Sequence, residues 1–131
     1  MPSRNFGTSP NFIIKDKAER KVNVIREPKN PHIILLMGRV IMTPPPNRTL
    51  SGVEWRKLAG KISIEMARLG IEFDFTGGPN PYEIIVLLDP VIIDDSLSNF
   101  FFRQRIFFVI RAMILVIEIY RQYLAEPEPQ P

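Results

Sequence analysis

The chain has 131 residues, a length that suits one domain with a single hydrophobic core. Its apolar share of 45% and charged share of 24% are those of a globular protein and exclude global disorder. The absence of cysteine excludes disulfide frameworks, thiol catalysis and cysteine-ligated zinc together. We expect a flexible N-terminal arm at 1–11, one α+β domain at 12–125 and a proline-rich tail at 126–131.

Positive charge is concentrated in the first half of the chain. Through Lys61 there are twelve Lys and Arg against four Asp and Glu, and beyond it five against ten, so the formal +3 divides into +8 and −5. A basic half permits contact with nucleic acid or with a second copy. Single-strand binders also interleave aromatic platforms, which are scarce here. The cations that would bind nucleic acid are Lys15, Lys17, Arg20, Lys21, Arg26 and Lys29.

Two regions of the sequence predict most of the sheet. After a short N-terminal hairpin in 12–25, the β-branched run His32–Thr43 predicts a central strand, and Gly38 inside it indicates a bulge or a close backbone approach. Strict alternation over 71–75, a Gly-Gly-Pro turn and the apolar run at 82–89 predict a second hairpin.

A helix between these strands is marked by its ends. Ser51 followed by Glu54 is a capping box, in which each side chain bonds an amide that the first turn leaves unpaired. Gly70 predicts the end of the helix, because glycine adopts the left-handed conformation that such ends favour. The order strand, helix, strand, strand, helix therefore predicts a small mixed or antiparallel sheet with two helices, similar to a ferredoxin-like layer without its last strand.

The last element is a long helix over 98–124, with Ser96 or Ser98 as its cap. It would be about 40 Å long, so one end should project beyond the sheet. Four of its polar side chains fall on one narrow line, and over the central turns the residues that flank this line are apolar. Because a helix on one sheet buries a stripe little wider than about 100°, the sequence indicates a second cover. The residues on the polar line are Gln104, Arg111, Glu118 and Gln122.

Three covers are open: a second copy, a different partner, or lipid. A membrane span is disfavoured, because Arg111 and Glu118 interrupt apolar runs far shorter than the roughly 20 residues needed. Self-association fits better, with a homodimer as the simplest form, and wrapping by the N-terminal strands remains the alternative. The predicted interface consists of Phe101, Phe107, Ile110, Arg111, Ile114, Ile117 and Glu118.

Catalytic chemistry has few candidates. His32 is the one histidine and begins an apolar strand, where a structural role is more common. Asp89, Asp94 and Asp95 follow a strand, but capping of the long helix explains the latter two more simply than Mg²⁺. We therefore expect no enzyme, no metal and no cofactor. The N-terminus lacks a secretory signal, so we expect a cytoplasmic or intracellular protein, with a virion or an organelle left open, and a structural or adaptor role.

Overall fold

The computed structural model describes residues 12–18, 20–27, 29–30, 32–77, 80–93 and 98–126. The arm at 1–11, the tail at 127–131, Ser96 and the pair Asp94 and Asp95 lie outside the described residues. The elements are β1 (Phe12–Lys15), β2 (Lys21–Arg26), β3 (Ile33–Ile41), α1 (Gly52–Leu69), β4 (Glu72–Phe75), β5 (Ile84–Ile92) and α2 (Asn99–Ala125).

The five strands form one antiparallel sheet in the order β1-β2-β3-β5-β4. The predicted α+β class is confirmed, as is the order strand, helix, strand, strand, helix after an N-terminal hairpin. β5 lies between β3 and β4, the two strands that α1 connects, and this arrangement is a split βαβ unit. The N-terminal hairpin joins the same sheet through β2, on the free side of β3.

Helix α1 has the ends that the sequence predicts. The Ser51 hydroxyl accepts a hydrogen bond from the Glu54 amide at 3.2 Å, and a Glu54 carboxylate oxygen accepts from the Ser51 amide at 3.3 Å. Gly70 ends the helix at φ 76°, and its amide donates back to the last turn. The apolar stripe of α1 is buried at Trp55, Leu58, Ala59, Ile62 and Met66.

Helix α2 is covered mainly by its own domain. It packs on β3, β5 and β2 and against α1. Its inner side is therefore broader than a stripe on a sheet alone, because α1 covers one flank. The buried residues of α2 are Ile106, Val109, Ile110, Ala112, Met113, Val116, Tyr120 and Tyr123.

α2 lies close against the sheet at Gly38. The β3 register runs through it without a bulge, with Val22 and Leu87 as its neighbours on either side. A Cβ placed on Gly38 would lie 2.6 Å from Met113 Sδ and 3.0 Å from Val109 Cγ1. Of the two interpretations of this glycine, a close approach is therefore correct.

Among the helices of the described chain, α2 included, none combines the length and apolar character required to cross a membrane.

Candidate assembly surface

The N-terminal end of α2 projects from the domain. A helix of this length extends about 40 Å, whereas the nine-residue strands beneath it extend about 30 Å. Burial in α2 starts at Ile106, so its first two turns lack a buried residue. Phe100, Phe101 and Phe107 are 71%, 45% and 60% exposed. A phenylalanine is normally an interior residue. Phe100 and Phe107, seven residues apart, lie on nearly the same side of α2, and Phe101 is about 100° from Phe100 around the helix.

The predicted interface residues divide into three groups. Phe101, Phe107, Arg111 and Glu118 are exposed, and Ile114 and Ile117 are partly buried. Ile110 is buried against its own domain and is only 6% exposed. Periodicity alone does not separate Ile110 from the outer residues, because the width of the covered side of α2 depends on tertiary packing.

A shallow groove runs along the outer side of α2 beside the end of α1. Its volume is about 240 Å³. The exposed Arg111 and Glu118 lie seven residues apart, about 10 Å along the helix. Neither side chain forms an ion pair within the described part of the chain. The residues that line the groove are Leu69, Arg111, Ile114, Leu115 and Glu118.

A buried ion pair fixes α2 on β5. Asp89 is 4% exposed, and its two carboxylate oxygens accept from the Arg105 guanidinium, Oδ2 from Nε at 2.8 Å and Oδ1 from Nη2. The guanidinium also stacks on Phe108, 4.9 Å from the ring centroid. Bidentate geometry and two fixed partners make this pair a structural clamp. The carboxylate that the sequence offered for a metal is therefore occupied by an arginine.

Arg48 joins the ends of the two helices. It follows the proline run, donates from Nη1 to the Leu124 carbonyl at 2.6 Å, and lies 3.4 Å from Glu54 Oε2. The hydrogen bond from the Ser51 amide, with the Arg48 contact, holds the pKa of Glu54 below its ordinary value. Burial raises the pKa of Tyr120, whose hydroxyl has no hydrogen-bond partner among the described residues.

A second, open groove of about 580 Å³ lies beside the contacts of Arg48 with Glu54 and Leu124. Lys61 stands over the Tyr123 ring at 5.5 Å and pairs with Glu126 at 3.4 Å. Arg48 and Lys61 are thus engaged by carboxylates and an aromatic ring of the same chain, whereas Lys57, which also lines the groove, is exposed.

The sheet brings some of the predicted basic residues together. Lys15 lies directly opposite Lys21, and continuation of the same register places Arg39 opposite Lys21 on the third strand. All three are exposed, and the row spans about 10 Å. Arg39 was not predicted as a nucleic-acid-binding residue. As the one charged residue in β3, it could have been found from the alternation of the strand.

The other basic residues lie elsewhere. Lys17 is in the turn after β1, close to the row, whereas Arg20 is paired with Asp16 at 2.8 Å. Arg26 ends β2 and Lys29 follows it, at the opposite end of the sheet. The six predicted cations therefore do not form one surface.

The face of the sheet away from the helices has an apolar middle. Met37, Val86 and Leu88 form a buried cluster, with Ile25 packed against it, and no described helix residue belongs to it. None of these four side chains is aromatic, so this cluster offers no stacking platform for bases.

Metal and histidine chemistry find no support in the described ranges. Within residues 12–126, less the masked positions, no three His, Asp or Glu side chains are grouped as metal ligands. His32 is exposed at the start of β3, and its carbonyl accepts from the Ile93 amide at 2.6 Å.

Comparisons with known proteins identify the fold alone. No family model and no curated protein matches the chain. A crystal structure of an uncharacterized protein from Methanothermobacter thermautotrophicus superposes with a TM-score of 0.73 at 18% identity, covering 93% of this chain and 85% of that one. The chain therefore shares a two-layer α+β fold with that archaeal protein.

Proposed function

We propose that this chain is a non-enzymatic structural or adaptor protein that self-assembles through the outer side of α2. The exposure of Phe100, Phe101 and Phe107 on a helix that is otherwise seated in its domain carries this proposal. Burial of one phenylalanine side chain is favourable by about 1.5–3 kcal/mol. A second copy of the chain supplies the same apolar surface and requires no further gene product.

The test is the solution mass of the full chain by light scattering on a sizing column. We expect a dimer or larger assembly, and we expect Phe107→Glu to shift it toward monomer because a carboxylate replaces an apolar contact. Ile41→Glu is the matched control, since Ile41 is 56% exposed but lies at the end of β3. A wild-type monomer at all concentrations would contradict self-assembly.

A second candidate function is nucleic-acid binding, favoured by the row of Lys15, Lys21 and Arg39. Three exposed cations in one row across neighbouring strands can contact the phosphate backbone of a nucleic acid. The expected signature is an affinity for single-stranded RNA that falls steeply with salt. Lys21→Glu should reduce it and the distant Lys29→Glu should not; no binding at low salt would remove this candidate.

A further inference from the structure

The exposed charges of α2 are arranged to pair with a second copy in one orientation. Arg111 and Glu118 lie within about 20° of each other around the helix, at about 100° per residue. Their separation of about 10 Å is too long for a hydrogen bond between them. Neither side chain has an ion-pair partner in the described chain. The line therefore presents a positive and a negative group at a fixed spacing.

We infer that two copies pair through α2 as an antiparallel two-fold helix pair centred between Ile114 and Leu115. This inference rests on the proposed self-assembly and specifies its interface. In that orientation Arg111 of each copy faces Glu118 of the other, so one symmetry axis produces two ion pairs. A parallel pairing instead places Arg111 against Arg111 and Glu118 against Glu118, and like charges there would oppose association.

The centre of the pairing is apolar and partly open. Ile114 and Leu115 are partly buried and flank the line on either side, so each meets its own counterpart across the axis. They also line the groove of about 240 Å³ beside Leu69, which leaves room for the side chains of the second copy. The same register places Phe107 level with Gln122 of the other copy, so the second helix would cover part of the exposed phenylalanine.

Charge reversal tests this geometry. Arg111→Glu places two acids on the line of each copy, so both contacts of the homodimer become repulsive. Glu118→Arg does the same with two cations. We expect each single variant to weaken the dimer about 30-fold at low salt, since exposed pairs contribute up to about 1 kcal/mol each and both are reversed. The double variant exchanges the charges and should restore the dimer to within about threefold.

Mixing the two single variants gives the sharper result. One variant is acidic at both positions and the other is basic at both, so their heterodimer has two attractive contacts. We expect a mass shift to dimer in the mixture at a concentration where each variant alone is monomeric. Lys21→Glu is the control for charge reversal on the opposite side of the domain, and it should leave the dimer unchanged.

The outcomes separate the two proposals. A wild-type dimer that both single variants leave intact would overturn the antiparallel α2 pair while self-assembly stands. A weakened dimer that neither the double variant nor the mixture restores would also overturn it, because the charges then do not face each other. A wild-type chain that is monomeric at every concentration would overturn both.

Discussion

Gly38 should accept a side chain only if the side chains of Met113 and Val109 move. A Cβ there would lie 2.6 Å from Met113 Sδ and 2.9 Å from Met113 Cγ, and the neighbouring Val109 Cγ1 is at 3.0 Å. Gly38→Val adds three carbons at this contact, and overpacking of this kind costs about 1–3 kcal/mol. We place Gly38→Val in the upper half of that range, because two residues of one helix obstruct it.

Equilibrium unfolding in urea, followed by circular dichroism, measures this loss of about 2–3 kcal/mol; the thermal midpoint should fall by about 10 °C. Gly60→Ala is the control, since nothing lies within 4 Å of a Cβ there and the position is in α1. Alanine should stabilise the helix by about 0.5–1 kcal/mol.

A double-mutant cycle with Met113→Ala locates the cause. With the methionine truncated, Gly38→Val should be less destabilising by about 1–2 kcal/mol, because the new side chain fills the space that is left. Equal stability of Gly38→Val and wild type would refute the close packing of α2 on Gly38. A loss of stability that does not depend on the residue at position 113 would refute the assignment of the clash to Met113.

Three further predictions concern buried and capping groups. Asp89→Asn should lower the free energy of unfolding by about 2–3 kcal/mol. This loss is smaller than the full penalty for breaking a buried ion pair, because Arg105 is one-third exposed. An unchanged urea midpoint would contradict the structural role of the pair. The pKa of Glu54 is lowered in the folded state, so its carboxylate stabilises the fold above the ordinary pKa and loses that effect as pH falls. Glu54→Gln should lower the free energy of unfolding by about 0.3–1 kcal/mol at pH 7. In a pH series of unfolding curves, the difference from wild type should vanish below the lowered pKa. Tyr120→Phe should leave the free energy of unfolding unchanged or raise it by up to about 1 kcal/mol, because the buried hydroxyl has no partner among the described residues. The raised pKa of Tyr120 destabilises the fold as pH rises above 10, so the variant should lose less stability there than wild type. Marked destabilisation of the variant at pH 7 would show that the hydroxyl is hydrogen-bonded.

The local elements follow from sequence because their signals are local. Ser51, Glu54 and Gly70 bound α1 as predicted, and Ser98, one of two candidate caps, begins α2 by accepting from the Phe101 amide. Alternation and turn residues likewise predict the β4–β5 hairpin. These features depend on residues within a few positions of each other, so tertiary context does not override them.

The features that decide the surface depend on distant residues. The burial of Ile110 follows from the packing of α2 on its own domain, which periodicity within α2 does not reveal. Arg48 contacts Leu124, which lies 76 residues away in the sequence. Arg39 is placed opposite Lys21 only by the register of β2 and β3. Sequence reasoning found the exposed Arg111 and Glu118, because polar spacing marks them, and the exposed Phe107 beside their line, but it overestimated how much of the helix lies uncovered.

The β3–β5 ladder at the centre of the sheet sets an order of events during synthesis. Its register joins Ile33 to Ile92 and Ile41 to Ile84, so every contact in it spans more than forty residues. The β1–β2–β3 meander is local and closes first, which leaves the inner edge of β3 unpaired until α1, β4 and β5 have followed. Non-local pairing of this kind slows folding, and an unpaired apolar edge is a template for wrong partners. We therefore expect a nascent chain that has exposed β3 but not yet β5 to be the state most prone to incorrect pairing.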